Sequence, residues 1–210
     1  MINKIIKYSK NSIRLLIQSL ENGNIIAVPT DTVYGLIANA YNEKAVDKIF
    51  KIKSRPKKLP LIIFVASIKD AKKIGFFTEY DELLAKAFWP GDLTLVVRRK
   101  NKKIFYGHKS FTTVGIRIPK HKALIDLIEK AKVPLASTSA NFHKGKTPKN
   151  FNELNIISDK KISYVMKSNH KIEGVESTIV TLIHKKIEVL RPGSISRKMI
   201  KDKIKNLQMH

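Results

Sequence analysis

Amphipathic helical segments and short apolar segments alternate along almost the whole chain, and this alternation limits the fold more than any other feature. Apolar residues spaced three and four apart predict helices, and short apolar runs bounded by turn residues predict strands. Helices are predicted over 9–22, 42–52, 68–74, 79–88 and 121–132, with a last basic helix starting at Ser196. Strands are predicted over 24–28, 61–66, 93–98, 113–118, 133–137, 162–166, 176–183 and 186–190. The pattern is typical of an α/β domain with a mixed sheet, for which we expect about six or seven strands.

The length and composition predict one cytoplasmic domain over residues 1–210, with a core at about 10–200 and a short basic C-terminal helix or tail. No apolar run reaches 18 residues, so we expect no membrane span. The N-terminal segment is broken by lysines and does not resemble a secretory signal. The chain has no cysteine, and its six histidines lack zinc-site spacing, so we expect no disulfide and no protein-held metal.

The chain is strongly basic. It has 41 Lys and Arg against 17 Asp and Glu, a formal net charge of +24. This balance favours polyanionic partners such as nucleotides and nucleic acids. A base-composition bias that enriches Lys, Ile and Asn would explain the lysines equally well. The arginines are therefore more informative, because a planar bidentate fork for phosphate or carboxylate requires arginine. The seven are Arg14, Arg55, Arg98, Arg99, Arg117, Arg191 and Arg197.

Four segments have the composition of binding loops. They are 29–36 (PTDTVYGL), 53–58 (KSRPKK), 137–141 (STSAN) and 190–193 (LRPG), the last preceded by 174–179 (GVESTI). Each follows a predicted helix or strand and carries hydroxyls or arginines that bind phosphate or carboxylate groups. Each can also be an ordinary turn, cap or helix end. Neither a nucleophilic triad nor a carboxylate pair is evident, so we expect a site that works by positioning and phosphate electrostatics, without an assigned catalytic residue.

Seven motifs in order carry a family resemblance. PTDTVYGL, the K-x-R of Lys53 and Arg55, WPGDLTLV, VGIRIP, STSAN, VESTIV and LRPG closely resemble the YrdC/TsaC family of L-threonylcarbamoyladenylate synthases. The match extends over about residues 10–200. The resemblance implies a single YrdC-like domain, in which a twisted, open mixed sheet flanked by helices surrounds a basic concave cavity.

The resemblance also implies an ATP-dependent enzyme of tRNA modification. Members of the family condense L-threonine, bicarbonate or CO2, and ATP into threonylcarbamoyl-AMP, and they release pyrophosphate. Mg²⁺ accompanies the ATP. A separate downstream threonylcarbamoyl transferase complex then modifies N6 of adenosine 37 in tRNA.

Site residues follow from the positions of the motifs. The resemblance implies that threonine is bound by Thr32, Tyr34, Arg117, Ser137 and Ser177. It implies that ATP is bound by Lys53, Arg55, Thr113, Ser139, Asn141, Thr147 and Arg191. The chain departs from the pattern at Phe64, where many relatives have a histidine near the threonine site. It departs again after Asn141, where residues 142–147 replace the usual Ser-Gly continuation.

Two other functions fit the same sequence. The first is a basic RNA-binding module that forms no adenylate, which the net charge and the C-terminal lysines favour. The second is the YrdC-like part of a carbamoyltransferase, although such chains are longer and carry cysteine-rich regions. Turnover that depends on threonine would distinguish the synthase from both.

Overall fold

The computed structural model describes residues 4–142, 145–154, 161–167, 172–184 and 186–208. The strands are β1 (Lys4–Lys7), β2 (Ile25–Pro29), β3 (Tyr34–Asn39), β4 (Ile62–Phe64), β5 (Gly75–Phe76), β6 (Leu93–Arg99), β7 (Thr113–Arg117), β8 (Leu135–Ser139), β9 (Ile162–Lys167), β10 (Thr178–Thr181) and β11 (Glu188–Arg191). The helices are α1 (Lys10–Glu21), α2 (Glu43–Lys53), α3 (Ile68–Ile74), α4 (Glu79–Phe88), α5 (Lys122–Ala131) and α6 (Arg197–Gln208), and a 3₁₀ turn covers Phe151–Glu153.

All the described strands belong to one mixed sheet. Its order is β1-β9-β2-β3-β8-β4-β7-β6-β10-β11, and β5 pairs with β6 beside this path. The pairs β1/β9, β2/β9, β4/β7 and β6/β10 are parallel, and the remaining pairs are antiparallel. The mixed α/β fold predicted from the alternation is therefore confirmed.

The helix predictions are confirmed within one or two residues because the signals at their ends are local. The side chains of Ser9, Asn42, Ser67 and Thr78 each accept a hydrogen bond from a backbone N–H in the first turn of α1, α2, α3 and α4. Ser196 caps α6 in the same way, accepting from the backbone N–H of Met199 at 3.2 Å. Among the helices described, none is both long and apolar enough to cross a bilayer.

The expected six or seven strands are wrong, since eleven strands form the sheet in the part of the chain that the structure describes. All eight predicted strand segments are present, and the sequence analysis missed β1, β3 and β5. Strand β3 is the important omission. Its first residues, Tyr34–Leu36, were assigned to a loop, but they pair with β2 on one side and β8 on the other. Gly35 and the preceding turn weaken the local strand signal, and the hydrogen bonds of the two neighbouring strands override it.

Helices cover the two faces of the sheet unequally. Helices α1 and α5 pack on one face, against Ile26, Val28, Ile37 and Leu135. Helices α2, α3, α4 and α6 contribute to the larger core on the other face, which includes Ile25, Ala27, Leu36 and Ile63. Alternate residues of a strand point to opposite faces. Phe64 marks where the smaller core ends, because it packs in that core and also lines an open cleft.

Candidate functional site

The cleft lies where α1 and α5 leave their face of the sheet uncovered. Its volume is about 160 Å³. Its floor is formed by residues on one face of neighbouring strands, namely Gly35 of β3, Ser137 and Ser139 of β8, and Ile62 and Phe64 of β4. The prediction that this strand ends at Ser137 and leads into a polar turn is wrong, since β8 runs to Ser139. Because side chains alternate along a strand, both serines of S-T-S point into the cleft.

A tight loop between β2 and β3 closes one side of the cleft. The Thr30 hydroxyl donates to Val33 O at 2.6 Å and accepts from the backbone N–H groups of Thr32 and Val33 at 3.1 and 3.0 Å. The Thr30 and Thr32 hydroxyl oxygens are 3.0 Å apart. Gly174 N–H donates to Thr32 O at 2.7 Å and holds the 172–175 segment over the loop. These bonds fix the direction of the Thr32 side chain.

Arg117, at the end of β7, is the best-held charged group of the cleft. It is 3% exposed. Its Nε donates to Gly91 O at 2.8 Å, and its Nη1 donates to Thr32 Oγ1 at 2.9 Å. Its Nη2 lies 2.7 Å from Asp31 Oδ1 and 3.4 Å from Asp92 Oδ1. The Asp31 contact is an ion pair outside hydrogen-bond geometry. All three guanidinium nitrogens therefore contact protein oxygens.

Asp31 and Asp92, whose side chains are 8% and 14% exposed, form a largely buried carboxylate pair that the sequence analysis missed. Lys120 N–H donates to Asp31 Oδ2 at 3.0 Å, and the Ser194 hydroxyl donates to Asp92 Oδ2 at 2.9 Å. Burial raises the pKa of Asp31, the Arg117 guanidinium acts against this, and the neighbouring Asp92 carboxyl raises it further. One feature of the sequence could have identified both aspartates, because each lies within a motif, PTDT or WPGD, outside any predicted helix.

Arg191, at the end of β11, forms the opposite wall. Its Nε and Nη2 donate to Ser177 O at 3.1 and 2.9 Å, and Nη2 also donates to Ser177 Oγ at 3.1 Å. Its Nη1 pairs with Glu176 Oε2 at 2.6 Å, and both side chains are about one-third exposed. Gly193 allows the turn to reach this segment, because a Cβ there would lie 2.3 Å from Glu176 O.

Arg55 lies on the same open side of the cleft. Its Nε donates to Leu59 O at 2.9 Å, and its Nη2 donates to Pro60 O at 3.2 Å. Burial lowers the pKa of both Arg55 and Arg191, but an arginine keeps its charge in proteins. The ionisable side chains that line the cleft are three arginines (Arg55, Arg117 and Arg191) and Glu176.

Lys53, the last residue of α2, holds the segment after β8. Its ammonium donates to Ser139 O at 2.5 Å, to Asn141 O at 2.7 Å and to Asn141 Oδ1 at 2.8 Å. Burial lowers the pKa of Lys53 to about 7, and the positive charge of Arg55 adds to the effect. Three bonds use all three donors of an ammonium group. Lys53 therefore positions Ser139 and Asn141 in this structure.

The structure brings seven of the twelve predicted site residues to the cleft wall. They are Thr32, Arg55, Arg117, Ser137, Ser139, Ser177 and Arg191. Lys53 and Asn141 lie immediately behind Ser139, in the hydrogen-bonded group just described. Three others do not line the cleft. Tyr34 is fully buried in the larger core, Thr113 is at the opposite end of β7 from Arg117, and Thr147 is half-buried in the 145–148 segment. Their substrate contacts stay predictions.

Phe64 has a definite role in place of the histidine of many relatives. It is 4% exposed, and the Arg117 guanidinium carbon lies 5.9 Å from the centre of its ring. A cation at this distance is attracted to the negative face of the ring. The second departure from the family pattern is the segment 142–147, of which residues 143–144 lie outside the described part of the chain. Gly145 N–H donates to Phe142 O at 2.9 Å, and Gly145 O accepts from the Asn141 side chain.

Several known proteins are similar to this chain. A family model of Sua5/YciO/YrdC proteins, described as telomere recombination, matches residues 18–193. Threonylcarbamoyl-AMP synthase of Pyrococcus abyssi is 35% identical over 201 residues, covering 94% of this chain and 58% of its own length. The synthase of Bacillus subtilis is 35% identical over 186 residues, covering 86% of this chain and 53% of its own length.

A solved structure extends the likeness to three dimensions. The crystal structure of P. abyssi Sua5 in complex with L-threonine superposes with a TM-score of 0.88 at 34% identity, covering 97% of this chain and 61% of that one. The chain thus spans a little over half the length of the relatives it matches. The family model covers most of the chain, and the motifs it spans meet around one cleft, so the chain belongs to the Sua5/YciO/YrdC family.

Proposed function

We propose that this protein is a threonylcarbamoyl-AMP synthase, which joins L-threonine, CO2 or bicarbonate, and ATP and releases pyrophosphate. The observation that carries the proposal is the division of the cleft. A buried end with one arginine and several hydroxyls adjoins an open end with two arginines. An amino acid beside a polyphosphate has the same division of charge. The relatives named threonylcarbamoyl-AMP synthase support this function over other uses of such a cleft.

The buried end suits L-threonine. Arg117 Nη1 has one protein acceptor, Thr32, and keeps a second N–H for the substrate carboxylate. Ser137 and Ser177 add hydroxyls on the same wall. That P. abyssi Sua5 is solved with L-threonine supports this ligand.

The open end suits the phosphates of ATP. Arg55 and Arg191 offer planar cationic groups, and carbonyl oxygens already hold each of them in one direction. Among the described residues, no group of three His, Cys, Asp or Glu side chains could hold a metal. We therefore treat Mg²⁺ as part of the substrate MgATP. In that complex the phosphate oxygens of ATP bind the ion.

The reaction we propose needs alignment more than proton transfer by the protein. The threonine nitrogen, as the free amine, attacks CO2, loses one proton to water and forms a carbamate. A carbamate oxygen then attacks the α-phosphorus of ATP, the bond from that phosphorus to the bridging oxygen breaks, and pyrophosphate leaves. Arg117 and its hydroxyl neighbours hold the nucleophile, while Arg55 and Arg191 stabilise the charge that moves onto the leaving phosphates.

We assign the product to tRNA modification in the cytosol, where ATP and tRNA are both abundant. A threonylcarbamoyl adenylate is a mixed anhydride and an acyl donor. Its use therefore requires a second activity, a downstream transferase complex that moves the threonylcarbamoyl group to N6 of adenosine 37 in tRNA.

Pyrophosphate release tests the proposal directly. The protein is incubated with MgATP and bicarbonate, with L-threonine, with L-serine or with neither, and the nucleotide product is identified by mass spectrometry. We expect release that depends on L-threonine and a product with the mass of threonylcarbamoyl-AMP. Folded protein that releases no pyrophosphate at any threonine concentration would overturn the proposal in favour of the RNA-binding module.

A further inference from the structure

Gly115 lies in the middle of β7, two residues before Arg117. Strand β7 pairs with β4 on one side and with β6 on the other, where Val96 is the register partner of Gly115. Alternate residues of a strand share a face, so Gly115 lies on the same face of the sheet as Arg117. A glycine inside a strand weakens it, because it has no side chain to pack and loses much conformational freedom on folding. A glycine at this position therefore requires an explanation.

The backbone conformation of β7 does not require it. The φ of Gly115 is outside the left-handed region that favours glycine, so other residues could adopt the same conformation. Its neighbours in the strand, Val114 and Ile116, carry side chains that are buried in the larger core on the other face. The strand thus tolerates side chains on both sides of the position that has none.

The packing around Gly115 leaves room for a methyl group. A Cβ at this position would lie 3.3 Å from Thr94 Cγ2, 3.7 Å from Val96 Cγ2 and 4.0 Å from Ile62 Cγ1. The last two distances are ordinary van der Waals contacts, and the first requires the Thr94 methyl to move by a few tenths of an ångström. By contrast, a Cβ on Gly193 would lie 2.3 Å from a backbone oxygen. Packing within the protein therefore does not account for the glycine.

The face of β7 that carries Gly115 is open and continues the floor of the cleft. Ile62, on the β4 side, and Arg117 both line the cleft. Gly115, its partner Val96 and Thr113 at the start of β7 are each partly exposed. A floor without a side chain at its centre therefore extends from Arg117 along β7 to Thr113.

The proposed reaction indicates which part of a substrate lies on this floor. The α-phosphorus of ATP must be next to the carbamate of the threonine that Arg117 holds, and Arg55 and Arg191 bind the leaving phosphates. The nucleoside must then extend from the α-phosphate in a direction that those phosphates do not occupy. Successive residues of a strand are about 3.3 Å apart, so Gly115 is about 7 Å from Arg117, on the path to Thr113.

We propose that Gly115 is a specificity-determining residue of the nucleotide site, and that the adenosine part of ATP lies directly on β7 at this position. The inference rests on the proposed synthase function, from which the place of the α-phosphate is derived. A glycine lets a ligand approach the strand closely. A methyl group at this position would hold adenosine away from β7, and it would leave the phosphate contacts of Arg55 and Arg191 unchanged.

Two ligands that differ by adenosine test the proposal. MgATP and magnesium tripolyphosphate share a chain of three phosphates, and their dissociation constants are measured by isothermal titration calorimetry without threonine. The variants are Gly115→Ala, Thr94→Ser and the double variant that carries both changes. Thr94→Ser removes the one methyl group that a Cβ at residue 115 would press on, and it keeps the hydroxyl that lies 2.8 Å from Ser177 Oγ. Urea denaturation measures the stability of each variant.

We expect Gly115→Ala to bind MgATP at least about 10-fold more weakly than the wild type, and the double variant to lose as much relative to Thr94→Ser. The affinities for tripolyphosphate and L-threonine should stay within about 2-fold, and the urea midpoint should shift by less than about 0.5 M. If Gly115→Ala does not fold, the double variant provides the same comparison without the Thr94 contact.

Three results would overturn the proposal. The first is unchanged MgATP affinity in Gly115→Ala, and the second is an equal loss of affinity for tripolyphosphate. The third is MgATP affinity restored in the double variant, which would mean that contact with the Thr94 methyl, and not the ligand, requires the glycine.

Failure of the proposed function would be a separate result, because these binding measurements need no turnover. Wild-type protein that binds MgATP but releases no pyrophosphate with threonine would contradict the synthase activity. A selective loss of MgATP affinity in Gly115→Ala would still support the place of adenosine. Wild-type protein that binds MgATP no better than tripolyphosphate would overturn the inference, because adenosine would then contribute nothing to binding.

Discussion

The two ends of the cleft hold their arginines in different ways. Arg117 is 3% exposed and lies against two carboxylates, a hydroxyl and a carbonyl oxygen. Arg191 is about one-third exposed and has one carboxylate, Glu176, at the same exposure. Arg55 is bound only to carbonyl oxygens among the contacts that describe it. The buried end is thus neutralised by the protein itself, whereas the open end keeps positive charge for a ligand.

This difference has a physical cause. A charge removed from water must be paired and hydrogen-bonded, or the fold loses several kcal/mol. Arg117 can be buried beside a small substrate only because Asp31 and Asp92 accompany it. Arg55 and Arg191 remain close to solvent, and in the proposed reaction the phosphates of ATP are their counter-charge. The buried end is therefore built for precise position and the open end for charge.

The largest effect should come from removing the buried cation. Arg117→Met leaves the largely buried carboxylates of Asp31 and Asp92 without their partner, so we expect the free energy of unfolding to fall by about 3–5 kcal/mol in urea denaturation. Adding Asp31→Asn and Asp92→Asn should restore much of this loss, because no isolated charge then remains buried. If Arg117→Met alone unfolds like the wild type, the carboxylate pair does not depend on Arg117.

At the open end, the same kind of change should affect activity and not stability. Arg55→Ala should reduce threonine-dependent pyrophosphate release by about 10²–10³-fold, because a charge that stabilises the leaving phosphates is lost. Its free energy of unfolding should change by less than about 1 kcal/mol. Arg14→Ala, on an exposed position of α1, is the control for the loss of one charge. Wild-type turnover in Arg55→Ala would remove this residue from the phosphate site.

Lys53 should make the free energy of unfolding depend on pH. Its pKa is about 7 in the folded protein and 10.5 in the reference state for an exposed lysine. Between these pH values the unfolded chain binds more protons, so the free energy of unfolding of the wild type should rise with pH. Lys53→Met has no group that titrates here, so its stability should rise less between pH 7 and 9. Parallel stability curves for the two proteins in urea would contradict the lowered pKa.

The smallest effect should come from the exposed ion pair. Glu176→Gln removes the partner of Arg191, and pairs at this exposure contribute about 1 kcal/mol or less. We expect almost unchanged stability and an apparent KM for ATP that falls by at most about 5-fold, since Arg191 is then more available to phosphate. A large loss of stability would mean that the open end, like the buried one, depends on its carboxylate.

Prediction from sequence succeeded where the signals are local. Ser9, Asn42 and Thr78 cap the helices they were expected to begin, because a cap needs only the next three residues. Strand β3 was missed because its first residues follow a turn and include Gly35, and only the pairing with β2 and β8 makes them a strand. The end of β8 was likewise predicted two residues too early, at Ser137, because pairing with β3 extends the strand to Ser139.

For the candidate site, the motifs located the side chains but not their contacts. The ordered motifs identified seven residues that line the cleft, including all three of its arginines. They also led to Tyr34, which is fully buried in the core, and to Thr113, which lies at the far end of β7. The position of a residue in a motif shows that it is close in sequence to residues of the site. The pleat and the register of the strand decide which side of the sheet it faces.

The sequence by itself determined the helices, the α/β class and the family, because periodicity, caps and motif order depend on neighbouring residues. The tertiary structure alone decided that Thr32 and Asp31 meet Arg117, which lies 85 residues from Thr32 in the chain. It also decided that Lys53 holds Asn141, 88 residues away. Contacts over such separations arise when non-adjacent strands pair in one register, and no local preference encodes that register.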